Sequence, residues 1–287
     1  MPEFLVYKFK NVKLIKDNAA ISRLPSLIRD AVIKTYEFPE RVTEYDGISV
    51  VWSETKYPGV WAPSIDTVVF ARALRKQLVD SKRLKNFSSL LEIGCGSGFL
   101  TKYLLAKKKG FGKAMGIAHL MDINIDAIKC SLDNLEEVKE NTNIFYSHNR
   151  VGKPLKINQP YDLVICNPPY IPRPHARKNN PYEGLLLYHE IFDKSEVMLT
   201  RKSLLFTSFS SISEDITIPL LKKKFDIKIV DQMKVPLKIP QVFSGLSKES
   251  REWKAYLERR GTLEVDKTER SGYHYWETIK IAECALI

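Results

Sequence analysis

Leu90-Leu91-Glu92-Ile93-Gly94-Cys95-Gly96-Ser97-Gly98 carries an apolar, strand-like stretch into three alternating glycines, and the helical run Phe99-Leu100-Thr101-Lys102-Tyr103-Leu104-Leu105 follows at once. Strand, glycine turn and helix in that order open a βαβ unit. Similar alternation from Ser64 to Asp231 predicts an α/β fold with a mostly parallel sheet. Glycine tolerates positive φ and lets a ligand approach the backbone with no Cβ in the way. The first turn of the helix offers N–H groups to the same place.

The spacing narrows the ligand. A dinucleotide fingerprint needs Gly-x-Gly-x-x-Gly, but here the third glycine arrives one residue early and Phe99 stands where a small residue is wanted. That argues against NAD and FAD and fits a cofactor without a pyrophosphate, S-adenosylmethionine (SAM). Ala114 to Met121 reads as the second strand and ends in Asp122, placed to accept hydrogen bonds from ribose hydroxyls. The plainer alternative is that Asp122 and Asn124 cap a helix from Ile125 to Lys139. The candidate cofactor set is Glu92, Gly94, Cys95, Gly96, Gly98, Asp122, Ile123, His148 and Asn167.

A second corner follows Tyr161-Asp162-Leu163-Val164-Ile165-Cys166, a buried-type strand that runs into Asn167-Pro168-Pro169-Tyr170. Two prolines fix φ and remove two donors, so the strand stops in a stiff corner. Open α/β sheets place ligands at such strand ends. An amide, freed carbonyls and an aromatic ring there suit a flat acceptor bearing an NH2 group. A proline-terminated strand without chemistry is the bland alternative. Asn167, Pro168 and Tyr170 are the candidate catalytic residues; Pro169, Tyr170, Asp66, Arg173 and Arg177 are the candidate substrate contacts.

The chain resembles the HemK-type SAM-dependent N-methyltransferases, the release-factor glutamine N5-methyltransferases. The resemblance rests on Leu91 to Gly98, then Asp122 and Asn134, then Asp162 to Pro172, Gly184-Leu185 and the strand Leu204 to Thr207, and it covers about Tyr57 to Asp231. Ala62-Pro63-Ser64-Ile65-Asp66-Thr67 is similar to an element that precedes the first core helix of that family. It implies a Rossmann-like fold with a mostly parallel seven-stranded sheet and an antiparallel last strand, and SAM as cofactor. It also implies methyl transfer to a protein glutamine, in the Gly-Gly-Gln loop of a translation release factor. Adenine-N6 methyltransferases share Asn-Pro-Pro-Tyr, so an RNA or DNA base remains the alternative acceptor. A small activator subunit occurs in part of the family. Ser147-His148-Asn149 departs from the aspartate that relatives place after the third strand.

Composition sets the outer bounds. The chain has 287 residues, 44% of them hydrophobic, enough for one Rossmann-like domain and an appendage. Residues 1–58 read as a small α+β appendage suited to substrate recognition: a basic strand Phe4 to Ile15, a helix near Leu24 to Tyr36 and a strand Gly47 to Trp52. Residues 59–287 form the catalytic domain, with an insert at about 235–273 between a sixth strand Phe225 to Val230 and the last, Trp276 to Ala285. No leader or membrane-length apolar run is present, which fits a cytoplasmic protein. Cys95, Cys130, Cys166 and Cys284 lack C-x-x-C spacing and read as reduced thiols; the scattered histidines point to no metal, and His119 reads as a satisfied interior residue.

A net charge of +11 suits nucleic acid or ribosome-associated partners, though lysine-rich helix faces are usually only solvated surface. The loop Ile171 to Glu183 is long enough to be a functional lip. The cluster Tyr273-His274-Tyr275-Trp276 reads as a stacking surface or, more simply, as part of one face of an edge strand with Ile279 and Ile281, in which Glu277 and Glu283 break the alternation. A noncatalytic scaffold is the remaining alternative; the intact motif residues speak against it.

Overall fold

The computed structural model describes residues 40–149, 153–174, 185–237, 248–268 and 273–287, with a few positions between 22 and 33. The expected strand Phe4 to Ile15, Arg177 and Gly184 lie outside the described residues, as does most of the helix expected near Leu24 to Tyr36. The first elements are a hairpin of β1 (Arg41–Tyr45) and β2 (Ile48–Trp52). Asp46 and Gly47 join them with φ of 54° and 75°. Two positive φ values match the right-handed twist of a tight hairpin, for which Asp-Gly is a preferred pair.

Helix α1 (Ile65–Leu74) continues into a wider-wound turn, Arg75–Asp80. Then come β3 (Ser89–Ile93), α2 (Phe99–Lys109), β4 (Ile117–Asp122), α3 (Ile125–Leu135), β5 (Asn143–His148) and β6 (Leu163–Cys166). They are followed by α4 (Leu186–Met198), β7 (Leu204–Ser210), α5 (Glu214–Leu221) and β8 (Phe225–Pro236). Last are α6 (Lys248–Arg259), the two-residue β9 (Glu264–Val265) and β10 (Tyr275–Leu286).

The sheet order is β5-β4-β3-β6-β7-β10-β8, with β9 paired to the start of β10. The strands β5, β4, β3, β6 and β7 are mutually parallel, and β10 is antiparallel to both its neighbours. This is the Rossmann-like, mostly parallel sheet with an antiparallel last strand that the sequence predicts. The order reverses between β3 and β6, so a crevice opens at their carboxyl ends, where α/β sheets bind ligands. All four residues of β6 are buried, as expected of a central strand covered on both faces.

Two expectations about the C-terminal region are corrected. β10 is an interior strand between β7 and β8, so the Tyr275-to-Ile281 face is not that of an edge. Its register against β8 shifts between Ile281 and Ala282, where β8 carries the extra residue Val230, while its register against β7 is unbroken. β10 keeps its alternation throughout: Ile279 and Ile281 pack in the core shared with α1, and Ala282 and Cys284 in the opposite core. Glu283, on the same face as Ile279 and Ile281, is accommodated by Arg83 in a two-pronged ion pair at 2.9 and 3.1 Å. The sixth strand runs to Pro236 rather than Val230 because β10 is long enough to pair with it throughout.

The hairpin is fastened to the Rossmann-like core. Asp46 accepts hydrogen bonds from Tyr103 and Lys107, both at 2.9 Å, and Arg75 lies 3.3 Å away. Val51 donates to Asn134 Oδ1 at 2.8 Å, and Asn134 Nδ2 donates to the Val51 carbonyl at 2.9 Å. Asn134 also donates to the Ser97 carbonyl at 3.0 Å, which ties the glycine loop to β2 through α3.

Candidate active site

Strand register brings the sequence motifs into one row. Ile93 stands opposite Met121 and Cys166, Asp122 opposite His148, and Cys166 opposite Thr207. The next positions along these strands are Gly94, Asp122, His148, Asn167 and Ser208, at one level along the carboxyl edge.

The three glycines differ. At Gly94 an added Cβ would meet nothing within 4 Å, and at Gly96 only the Trp61 carbonyl at 3.8 Å. Both have positive φ and border open space. Gly98 is packed shut: a Cβ there would lie 2.8 Å from Ser131 Cβ on α3. The loop amides are largely engaged inside the protein. Gly94 and Cys95 donate to the Met121 carbonyl, Gly96 to Asp122 Oδ2 at 3.0 Å, Gly98 to the Cys95 carbonyl. Thr101 N and Oγ1 both donate to Glu92, whose burial pushes its carboxyl up to about 8. The turn thus offers close backbone approach more than the set of open N–H donors that the sequence suggested.

Asp122 stands at the tip of β4, its Oδ1 accepting from Asn124 N at 2.8 Å and its Oδ2 from Gly96 N. Burial raises its pKa and the backbone bonds oppose that rise. A carboxylate has about four acceptor positions; the Asn124, Gly96 and Ile123 amides engage Asp122, which leaves room for a hydroxyl donor. Asn124 is the α3 cap, accepting from Asp126 N at 2.9 Å, which leaves Asp122 unneeded for that task. His148 Nε2 lies 3.0 Å from the Ile123 carbonyl, placing both beside Asp122. Open backbone at Gly94 and Gly96 and the remaining acceptor capacity of Asp122 fit a ribonucleoside with an amino-acid tail. His119 is satisfied in the interior, 2.7 Å from both Tyr161 and Ser147 hydroxyls.

The second corner is assembled from side chains. Asn167 Nδ2 donates to Asp66 Oδ2 at 3.1 Å, and Ser208 Oγ donates to Asn167 Oδ1. The carboxylate fixes the amide orientation, because the flipped form would face oxygen against oxygen. Asp66 is buried in the first turn of α1, where Ser64 also donates to it. Tyr188 donates to the Ser208 carbonyl, bracing β7 from α4. Pro168 is buried; Pro169 and Tyr170 are half-buried, with Tyr170 against the core under α4. Burial raises the Tyr170 pKa, and the neighbouring Glu277 and Asp66 raise it further. Asp66, expected to meet substrate, instead holds the Asn167 amide in this structure. Ser64, Ser208 and Glu277 were absent from the expected site; Glu277 alone left a signal, as an acid on an apolar face.

Beyond Tyr170 the chain docks on the insert. Trp253 Nε1 donates to the Pro172 carbonyl at 2.8 Å, the Arg173 guanidinium lies 4.5 Å above the Trp253 ring, and Ile171 packs beside Trp253 and Leu257. α6 is therefore a wall of the corner. Trp61, 53% exposed, and Ile65, 44% exposed, flank the mouth next to Gly96 and Asp66.

Residues 59–226 match a known family, described as the methyltransferase small domain. Over 144 residues the chain is 31% identical to a candidate protein N5-glutamine methyltransferase of Methanocaldococcus jannaschii, covering 49% of this chain and 60% of that protein. Over 164 residues it is 32% identical to the release factor glutamine methyltransferase of Fusobacterium nucleatum, covering 52% of this chain and 42% of that protein. The chain thus spans about half the length of these relatives. A solved tRNA m1G37 methyltransferase of M. jannaschii superposes with a TM-score of 0.50 at 14% identity, over 86% of this chain and 57% of that one, a likeness of fold.

Proposed function

The chain belongs to the methyltransferase small domain family, and from that premise we propose that it transfers a methyl group from SAM to the nitrogen of a planar amide, a protein glutamine side chain. The observation that carries this reading is the clamped Asn167 amide, its oxygen oriented by Ser208 and its nitrogen by Asp66, level with the open glycine loop. When bound, SAM supplies a methyl group on a positively charged sulfur, already activated for transfer. The protein's task is then to hold a nitrogen in line and to exclude water.

Gly94, Cys95 and Gly96 form the backbone surface for the amino-acid end, with Glu92 and Gly98 bracing the turn behind them. Asp122 accepts from the ribose hydroxyls, and Ile123 and His148 flank the base. Asn167 Oδ1, which keeps one lone pair beside its bond from Ser208, and the Pro168 carbonyl accept the two hydrogens of the acceptor NH2. That steers the nitrogen lone pair away from its conjugated carbonyl, and both acceptors stabilise positive charge growing on nitrogen. Tyr170 and Pro169 flank the planar group. Arg173 and α6 form the rim, and residues 1–58 are the recognition appendage.

Relatives bearing the glutamine methyltransferase name favour a release-factor-like protein acceptor. RNA base N-methylation is the second reading, favoured by the cations that lie over rings beside the corner: Lys254 over Tyr275 at 5.5 Å and Lys234 over Trp276 at 5.8 Å. The test incubates the protein with methyl-labelled SAM and extract of the source organism, then digests separately with protease and ribonuclease. Label lost to protease, and released as methylamine by acid hydrolysis, supports the glutamine reading. Label lost only to ribonuclease replaces it with the RNA reading.

A further inference from the structure

Glu277 lies on the face of β10 that Ile279 and Ile281 continue into the core beneath α1; Glu283, further along the same face, is paired with Arg83. It lies two residues beyond the pair Ile279–Ser210, and so at the carboxyl-end rim above Ser208 and Asn167. Only 5% of it is exposed, and among the described residues its Oε2 has no hydrogen-bond partner, while Ser210 serves the carboxyl as a donor. No ion pair among the described residues offsets it. The groups that face it are Asp66 on α1, Tyr170 after β6 and Ser210 on β7; across the ladder, its β8 partner Val235 is apolar. A buried carboxyl beside another carboxyl, with one oxygen unserved, is costly unless it carries a proton or meets a ligand. Burial, with Asp66 adding to it, pushes Glu277 up to about 8, so its neutral form is favoured near pH 7.

The acceptor chemistry gives that group a task. A primary amide presents two N–H donors and an adjoining oxygen acceptor, and an adenine edge presents NH2 beside a ring nitrogen. Asn167 Oδ1 and the Pro168 carbonyl are both acceptors, suited to the two N–H groups and not to the neighbouring oxygen. We propose that Glu277 is the third polar contact to the acceptor group, donating a hydrogen bond to the oxygen or ring nitrogen beside the nitrogen that takes the methyl. This inference rests on the methyl-transfer reading and adds a specificity element to it. Two acceptors and one donor select an amide or an aminopurine edge. They reject a carboxylate, which brings no donors, and an ammonium, which brings no acceptor. Glu277 positions the group; the methyl transfer itself needs nothing from it.

The experiment measures methyl transfer to a glutamine-containing peptide and to an adenine-containing RNA oligonucleotide, using whichever the wild-type protein labels. Glu277→Met removes the donor at similar size and should lower kcat/KM for the acceptor about 10- to 100-fold, mainly through KM, with SAM affinity within about 2-fold. Glu277→Gln keeps an N–H donor and should recover most of that loss. Wild-type kcat/KM should fall as pH rises through about 8, where the carboxyl loses its proton, and the Gln variant should lack that fall. A Gln variant with the wild-type pH profile overturns the proposal even if the Met variant fails to fold, as does a folded Met variant with wild-type kcat/KM. A wild-type protein that labels neither acceptor overturns the methyl-transfer reading itself.

Discussion

The two sides of the crevice differ in what holds their carboxyl groups. On the glycine-loop side, Asp122 and Glu92 are met mainly by backbone N–H groups of the turns and helix next to them. On the other side, Asp66 and Asn167 are held by side chains from α1 and β7, and Glu277 joins them from the last strand. The first side is a shape pressed into the main chain, and it suits a cofactor that never varies. The second is a set of side-chain directions that can change without disturbing the sheet, as a variable acceptor requires. Affinity for SAM should therefore reside on one side and turnover on the other.

The largest effect that sharpens this contrast is expected from Asn167→Ala. Turnover should fall about 100- to 1,000-fold while SAM affinity, measured by calorimetry, changes less than about 2-fold. Comparable losses in both would erase the division. Asp122→Ala should do the reverse, weakening SAM binding about 10- to 100-fold because bonds to a charged group are lost. Gly98→Ala probes the closed part of the loop: left-handed backbone plus a Cβ 2.8 Å from Ser131 should cost about 2–4 kcal/mol in denaturant unfolding. Adding Ser131→Gly should return part of that loss, and no return would place the strain elsewhere.

Smaller effects concern the rim and pH. Trp253→Phe keeps a ring under Arg173 but removes the bond to Pro172, costing about 1 kcal/mol and raising acceptor KM a few-fold with SAM binding unmoved. The raised carboxyls Glu92 and Glu277, each near 8, make a pH prediction. Their stabilising contribution is complete below the unfolded value near 4.5 and is lost as pH rises toward 8. Wild-type Tm should decline over that interval, and Glu277→Gln should decline less, by about 2–4 °C.

The same contrast decides what the sequence could reveal. The proposed cofactor side is made of runs contiguous in the chain, Leu91 to Gly98 and Met121 to Asn124, so spacing alone points to it. The proposed acceptor side joins Ser64 and Asp66, Asn167 and Ser208 through α1 and the β6–β7 pair, and Glu277 reaches it only because β10 inserts between β7 and β8. Ser208 and Ser210 look unremarkable in Leu204–Ser210, and Glu277 registers only as a break in an apolar alternation. β1 left a readable mark, Asp46-Gly47 between short alternating runs, but without its partner only half of the hairpin was expected. The β8 bulge at Val230 left none, because a register shift depends on how the partner strand pairs.

The most direct test of the division is a double-variant cycle on Asn167→Ala and Asp122→Ala, reading SAM affinity and single-turnover methyl transfer at saturating SAM. The account predicts that the double variant combines the two losses, with a coupling below about 0.5 kcal/mol. A coupling well above that, with Asn167→Ala weakening SAM binding in its own right, would make Asn167 part of the cofactor site and contradict the separation of binding from turnover.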